Sequence, residues 1–99
     1  MKWRIEPAAR LELVDAASWY DAAKLGLGAD FLDEFEAGLR RIEELPNAWH
    51  ALGDQLRRYR LKRFPYGIIY HVGEGEIVVI AVAHLHREPG YWYARLKKP

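Results

Sequence analysis

Hydrophobic positions along the chain change period twice, first from two to nearly four and then back to two. Trp3 and Ile5 alternate with Lys2, Arg4 and Glu6, the spacing of a short strand that buries one face. Pro7 ends this alternation and can open a helix, because the amide it lacks would have no partner in a first helical turn. From 8 to about 24 the chain is rich in alanine, with Leu11, Val14 and Ala17, joined by Leu13 and Tyr20, at helical spacing. Gly26 and Gly28 then punctuate it. A second helix is expected over 29–45, where Phe31, Leu32, Phe35, Leu39, Ile42 and Leu45 recur at steps of three and four. Acidic residues crowd its first turns and Arg40 and Arg41 follow, as the helix dipole favours. Gly38 inside this helix costs about 1 kcal/mol relative to alanine, which argues for a close approach to the first helix. Pro46 closes the element.

The second half reads differently. Positions 47–55 form a loop, with Trp49 and Leu52 tucked under the domain. Strand character returns over 56–64, where Tyr59 and Leu61 share a face with Arg57 and Arg63, and Arg58, Arg60 and Lys62 share the other. Two runs rich in Ile and Val follow, joined by Gly73-Glu74-Gly75 as a β-hairpin with a short glycine loop. Both faces of this hairpin are apolar, so helices should cover one and a partner part of the other. A tail spans 88–99, in which Trp92 is expected to pack. The order β-α-α-β-β-β makes an α+β fold, a helical hairpin packed on a mainly antiparallel sheet. Residues 1–99 form a single domain with no repeat or linker.

Composition narrows the class. Hydrophobic residues make up 51% and charged residues 29%, which excludes a disordered chain. There is no cysteine, hence no disulfide framework and no thiolate chemistry. The first residues lack the apolar stretch of a signal peptide, and no segment approaches the roughly 18 apolar residues of a membrane span. A soluble, cytoplasmic protein is expected. The net charge of +1 hides an asymmetry: residues 1–54 carry −5 and residues 55–99 carry +6. Such polarity can orient a small domain towards an anionic partner, or can merely reflect solvated helix faces and a charged sheet edge.

The final strand is apolar from Ile77 to Ala83 and then turns abruptly to His84-Leu85-His86-Arg87. His84 and His86, two apart on a strand, point to the same side and can exchange protons near neutral pH. RNA cleavage through a ribose 2′-OH needs a base, an acid for the leaving oxygen and cations for the phosphorane. Arg63, His86, Arg87 and Tyr91 supply residue types for those catalytic roles. The plainer reading makes His84 a strand-end residue bonded to the backbone and lets His86 position the Glu88-Pro89 turn. A zinc site needs three or four convergent ligands and His-x-His offers two, so no metal and no cofactor are expected. Tyr91, Trp92 and Tyr93 could stack on bases, but a terminal aromatic cluster more often closes a small core.

Phe64-Pro65-Tyr66, Ile69-Tyr70 and His84-Leu85-His86-Arg87-Glu88-Pro89-Gly90-Tyr91-Trp92 with Arg95, taken in register with Trp19-Tyr20 and the Gly28-to-Phe31 helix entry, resemble the RelE/ParE superfamily of type II toxin–antitoxin toxins. The likeness is to the ParE-like, plasmid stabilisation branch, and it covers nearly the whole chain. It implies a small toxin neutralised by a cognate antitoxin from an adjacent gene. ParE-like members are associated with inhibition of DNA gyrase, and RelE-like members cut mRNA on the ribosome. A non-toxic relative that binds antitoxin as a co-repressor is a third possibility. Arg58, Arg60 and Lys62 then become a row that binds acidic antitoxin residues or the target, or else a charged edge that prevents strand aggregation.

Overall fold

The computed structural model describes residues 2–53 and 55–96; Met1, Asp54 and the end of the expected tail, 97–99, lie outside the described residues. Strand β1 (Lys2–Ile5) leads into helix α1 (Pro7–Ala23) and helix α2 (Leu27–Glu44). Strands β2 (His50–Gly53), β3 (Leu56–Arg60), β4 (Tyr66–Gly73) and β5 (Glu76–His84) follow, and a 3-10 turn (Tyr91–Leu96) ends the described chain. The five strands form one sheet in the order β1-β5-β4-β3-β2, with β1 parallel to β5 and every other pair antiparallel. This is the expected α+β arrangement with one strand more than the sequence suggested. The extra strand, β2, falls where a loop was expected. Its His-Ala-Leu-Gly sequence has little strand propensity, and pairing with β3 is what makes it extended.

Helix α1 starts at Pro7 and buries Ala9, Ala16 and Ala17, small side chains that let it lie close to the sheet. The connection to α2 is tight. Asp21 accepts hydrogen bonds from the amides of Gly26 and Gly28 at 2.9 and 3.2 Å, and Gly26 takes a φ of 92°, open to glycine at little cost. Gly28 lies inside α2, where a Cβ would sit 2.5 Å from the Ala17 carbonyl oxygen. The close approach between helices is therefore at Gly28. Gly38, which the sequence assigned to that role, faces the sheet instead: a Cβ there would meet Tyr59 at 2.9 Å and Ile68 at 3.0 Å.

Two apolar layers result. Beneath the helices lie Phe31, Phe35, Ile42, Ile68, Tyr70 and Val79, all buried. On the opposite face Leu56, Ile69, Ile80 and Ala81 are covered by Trp92 of the 3-10 turn, itself 7% exposed. The chain thus closes much of its own second face, where an outside partner had been expected to help. Strand β3 ends at Arg60, short of the expected 64, because the Leu61 amide bonds the Tyr66 carbonyl at 2.9 Å and closes a turn that contains Pro65. Among the described residues no helix is long and apolar enough to cross a membrane.

Candidate functional site

The site is organised by a residue that no sequence pattern singles out. Glu12 lies on α1, one turn before Ala16, and points towards the end of the sheet. Its carboxylate accepts hydrogen bonds from the Val82 amide at 3.0 Å, the Tyr91 hydroxyl at 2.6 Å and Arg95 at 2.9 and 3.0 Å. Arg87 adds an ion pair at 3.3 Å. Arg95 also donates to the Ile80 carbonyl at 2.9 Å.

A bulge explains why these backbone groups are available. Ile69 pairs with Ala81 and Tyr70 with Val79, so Ile80 is the extra residue in β5. Strand β1 stops opposite Val79, which leaves the rest of β5 without a strand neighbour on that side. Glu12 and Arg95 satisfy part of that open edge in place of a strand.

The electrostatics follow from this packing. Burial pushes the Glu12 carboxyl up, but the hydrogen bonds from Arg95, Tyr91 and Val82 outweigh it and hold it below the usual glutamate range. Burial, then the Glu12 hydrogen bond, raise the Tyr91 hydroxyl far above its ordinary value. Tyr91 is therefore a neutral hydrogen-bond donor at physiological pH and a poor proton shuttle. The Arg87 guanidinium stacks 3.6 Å from the Tyr91 ring centroid.

The remaining sequence candidates separate. Arg63 shares the sheet end with Arg87 but is turned onto other partners: its side chain meets Asp30 at 3.5 Å, its amide donates to Glu34 at 2.9 Å, and its guanidinium lies 5.5 Å from the Phe64 ring centroid. His86 is exposed, and its amide donates to His84 Nδ1 at 3.0 Å, with the rings 5.2 Å apart. Arg87 and Tyr91 meet each other. Arg63 does not join them.

In the basic row, Arg60 is exposed on β3, whereas Lys62 sits in the turn after the strand. Arg58 is half-buried. Arg57, on the other face, donates to the Trp49 carbonyl at 2.8 Å. Row and sheet edge also part company, since β2 covers β3 and forms the edge itself. Among the described residues no group of three metal-ligating side chains gathers.

A groove of about 650 Å³ opens between α1 and the start of β4 and end of β5. Its walls include Asp15, Trp19, Tyr20, Tyr66, His84 and Arg87, with Glu12 at its side. Trp19 is 68% exposed there and gives the groove an apolar wall. Tyr20 joins the groove to the core, with its ring centroid 4.8 Å from that of Phe64 and 5.4 Å from that of Phe31. Glu12 offered no signal in the sequence, being one of three acids in an alanine-rich helix. Arg95 did stand out as part of a motif, though without a role.

Comparisons with known proteins agree with this architecture. The fold is similar to a chain of the chromosomal ParDE TA system from P. aeruginosa, with a TM-score of 0.75 at 13% identity, covering 87% of this chain and 97% of that one. Comparison with curated protein sequences returns no match. The model of the family described as "ParE toxin of type II toxin-antitoxin system, parDE" matches residues 3–89. With nearly its whole length matched, the chain belongs to the ParE toxin family of type II toxin–antitoxin systems.

Proposed function

We propose that this protein is a cytoplasmic toxin that arrests growth by binding an essential macromolecule, DNA gyrase being the leading target, and that a cognate antitoxin from the adjacent gene neutralises it. The observation that carries the binding reading is the state of Arg87, Tyr91 and Arg95. All three are engaged by Glu12, and Tyr91 gives its proton to a hydrogen bond. Such groups build a rigid surface more readily than an acid–base pair. The antitoxin's acidic, apolar carboxyl-terminal segment is proposed to lie across the helical hairpin and run on beside Arg58, Arg60 and Lys62, neutralising part of the basic half.

Expression of the chain alone from a tightly controlled promoter should stop growth of a bacterial host, and co-expression of the neighbouring gene should restore it. Supercoiling of a reporter plasmid, read on the arrested cells, tests the gyrase target. Normal growth at high expression in several hosts would sink the toxin reading.

One observation favours a second reading, a ribosome-dependent mRNA endoribonuclease of the RelE kind. The His84 and His86 rings meet edge to face with centroids 5.2 Å apart, and the side chain of Arg87, the next residue, is 54% exposed. In that case His86 and Arg87 carry the chemistry, with Tyr91 holding Arg87 in place and Arg63 apart from them, and transcripts are cut during arrest.

A further inference from the structure

On the second face of the sheet two hydrogen-bond donors have nothing to bond. Arg58 Nε and Trp92 Nε1 are both buried, and neither has a partner among the described residues. Leaving a donor buried and unpaired costs about 1–3 kcal/mol, so a pair of them calls for an explanation. The two side chains line one small cavity of about 50 Å³. His84 and Arg87 form its other polar walls, and Ile69 and Leu85 are among its apolar ones. No acidic residue is among those walls. Trp92 is 7% exposed, so its N–H is fixed in place by the packing of the whole terminal turn.

The chemistry of the walls selects the ligand. Indole and guanidinium nitrogens donate and never accept. A group that pairs with both is therefore an acceptor, and the positive charge of Arg58 favours an anion. A carboxylate or a phosphate oxygen meets those requirements. Position points to a peptide as the source. His84 and Arg87 also line the large groove beside α1, so a chain lying in the groove passes the cavity mouth.

We propose that the Arg58–Trp92 cavity is a carboxylate-binding pocket and that its occupant is an Asp or Glu side chain of the antitoxin. The second half of this proposal rests on the toxin–antitoxin reading; the first does not.

The test uses the full chain labelled with nitrogen-15, following the indole N–H signals of its four tryptophans. Trp92→Phe assigns the signal. Sodium acetate is titrated against sodium chloride at matched ionic strength, and dimethyl phosphate forms a third series. The Trp92 signal should shift saturably with acetate and not with chloride, while Trp3, Trp19 and Trp49 stay put. Arg58→Gln should weaken acetate binding by roughly tenfold or more, with the other indole signals unchanged as proof of folding. If that variant does not fold, the wild-type comparison of acetate with chloride still decides. A Trp92 signal that follows ionic strength alone overturns the pocket. Tighter binding of dimethyl phosphate than of acetate overturns the carboxylate assignment in favour of nucleic acid.

The occupant is then sought with the cognate antitoxin. Each of its acidic residues is changed to the amide, and affinity is measured against wild-type toxin and Arg58→Gln. One substitution should cost roughly tenfold against the wild type and almost nothing against the variant. If acetate binds but no acidic residue couples to Arg58, the pocket stands and the antitoxin assignment falls.

Discussion

The Arg95 guanidinium holds the Glu12 carboxylate through two hydrogen bonds, at 2.9 and 3.0 Å, across 83 positions of sequence. The pair ties the terminal turn to α1, and through Ile80 and Val82 it ties both to the bulged strand. Their side chains are 20% and 15% exposed, so salt screens this pair only weakly. Glu12→Gln keeps the shape but leaves Arg95 without its counter-charge. That variant should lose about 2–3 kcal/mol of stability, a fall of roughly 10 °C or more in Tm. Thermal unfolding followed by circular dichroism measures it, and a Tm within a degree or two of the wild type would show that the clamp contributes nothing.

The same carboxylate gives the fold an acid limit. Its pKa is depressed in the folded state, so the stability it adds is present above the ordinary glutamate value of 4.5 and is lost as pH falls through the lower folded value. Two phenols act at the other end. Burial pushes Tyr70 up to about 12, and burial with the Glu12 hydrogen bond raises Tyr91 further. Their contribution is present below pH 10 and is lost as pH rises through the folded values. Urea midpoints measured from pH 3 to pH 11 should therefore form a plateau with both shoulders. Glu12→Gln should flatten the acidic one.

Gly28 and Gly38 should respond unequally to alanine. At Gly28 the new methyl meets the backbone oxygen of Ala17, which cannot step aside, and the expected loss is about 2–3 kcal/mol or more. At Gly38 it meets the Tyr59 ring and the end of Ile68, and alanine gains about 1 kcal/mol of helix propensity in return. A net loss of about 1–2 kcal/mol is expected there. Denaturant melts of the two variants should rank them in that order.

Arg60 and Lys62 are exposed and free to steer an acidic partner. Arg60→Glu combined with Lys62→Glu should slow antitoxin association at low salt by roughly tenfold, with a much smaller effect at high salt. Stopped-flow mixing reads this directly. Equal association rates would remove both residues from the approach path.

Catalysis and binding part at His86. If the toxin acts by binding, His86→Ala should leave transcripts intact and growth arrest unchanged. Cleaved transcripts in the wild type, lost in His86→Ala and in Arg87→Ala while antitoxin binding survives, would select the ribonuclease instead. Primer extension on RNA from arrested cells distinguishes the two.

Local chemistry makes most elements legible in the sequence itself. The step of three and four from Phe31 to Ile42 can bury an apolar stripe only as a helix, and the Ile/Val runs around Gly73-Glu74-Gly75 can only pair as a hairpin. Pro7 and Pro46 mark boundaries because proline lacks a donor, and Trp92 was expected to pack and is buried. Tertiary structure decided the rest. Strand β2 exists because β3 offers it hydrogen bonds that its own residues do not demand. Gly28 rather than Gly38 takes the helix contact because the crossing point depends on a loop that Asp21 tightens. Arg63 left the expected cluster because α2 presents Asp30 and Glu34 to it first. Glu12 became the centre of the site for a reason no local pattern carries: one carboxylate reaches a bulged strand and three side chains that sequence places 70 to 83 residues away.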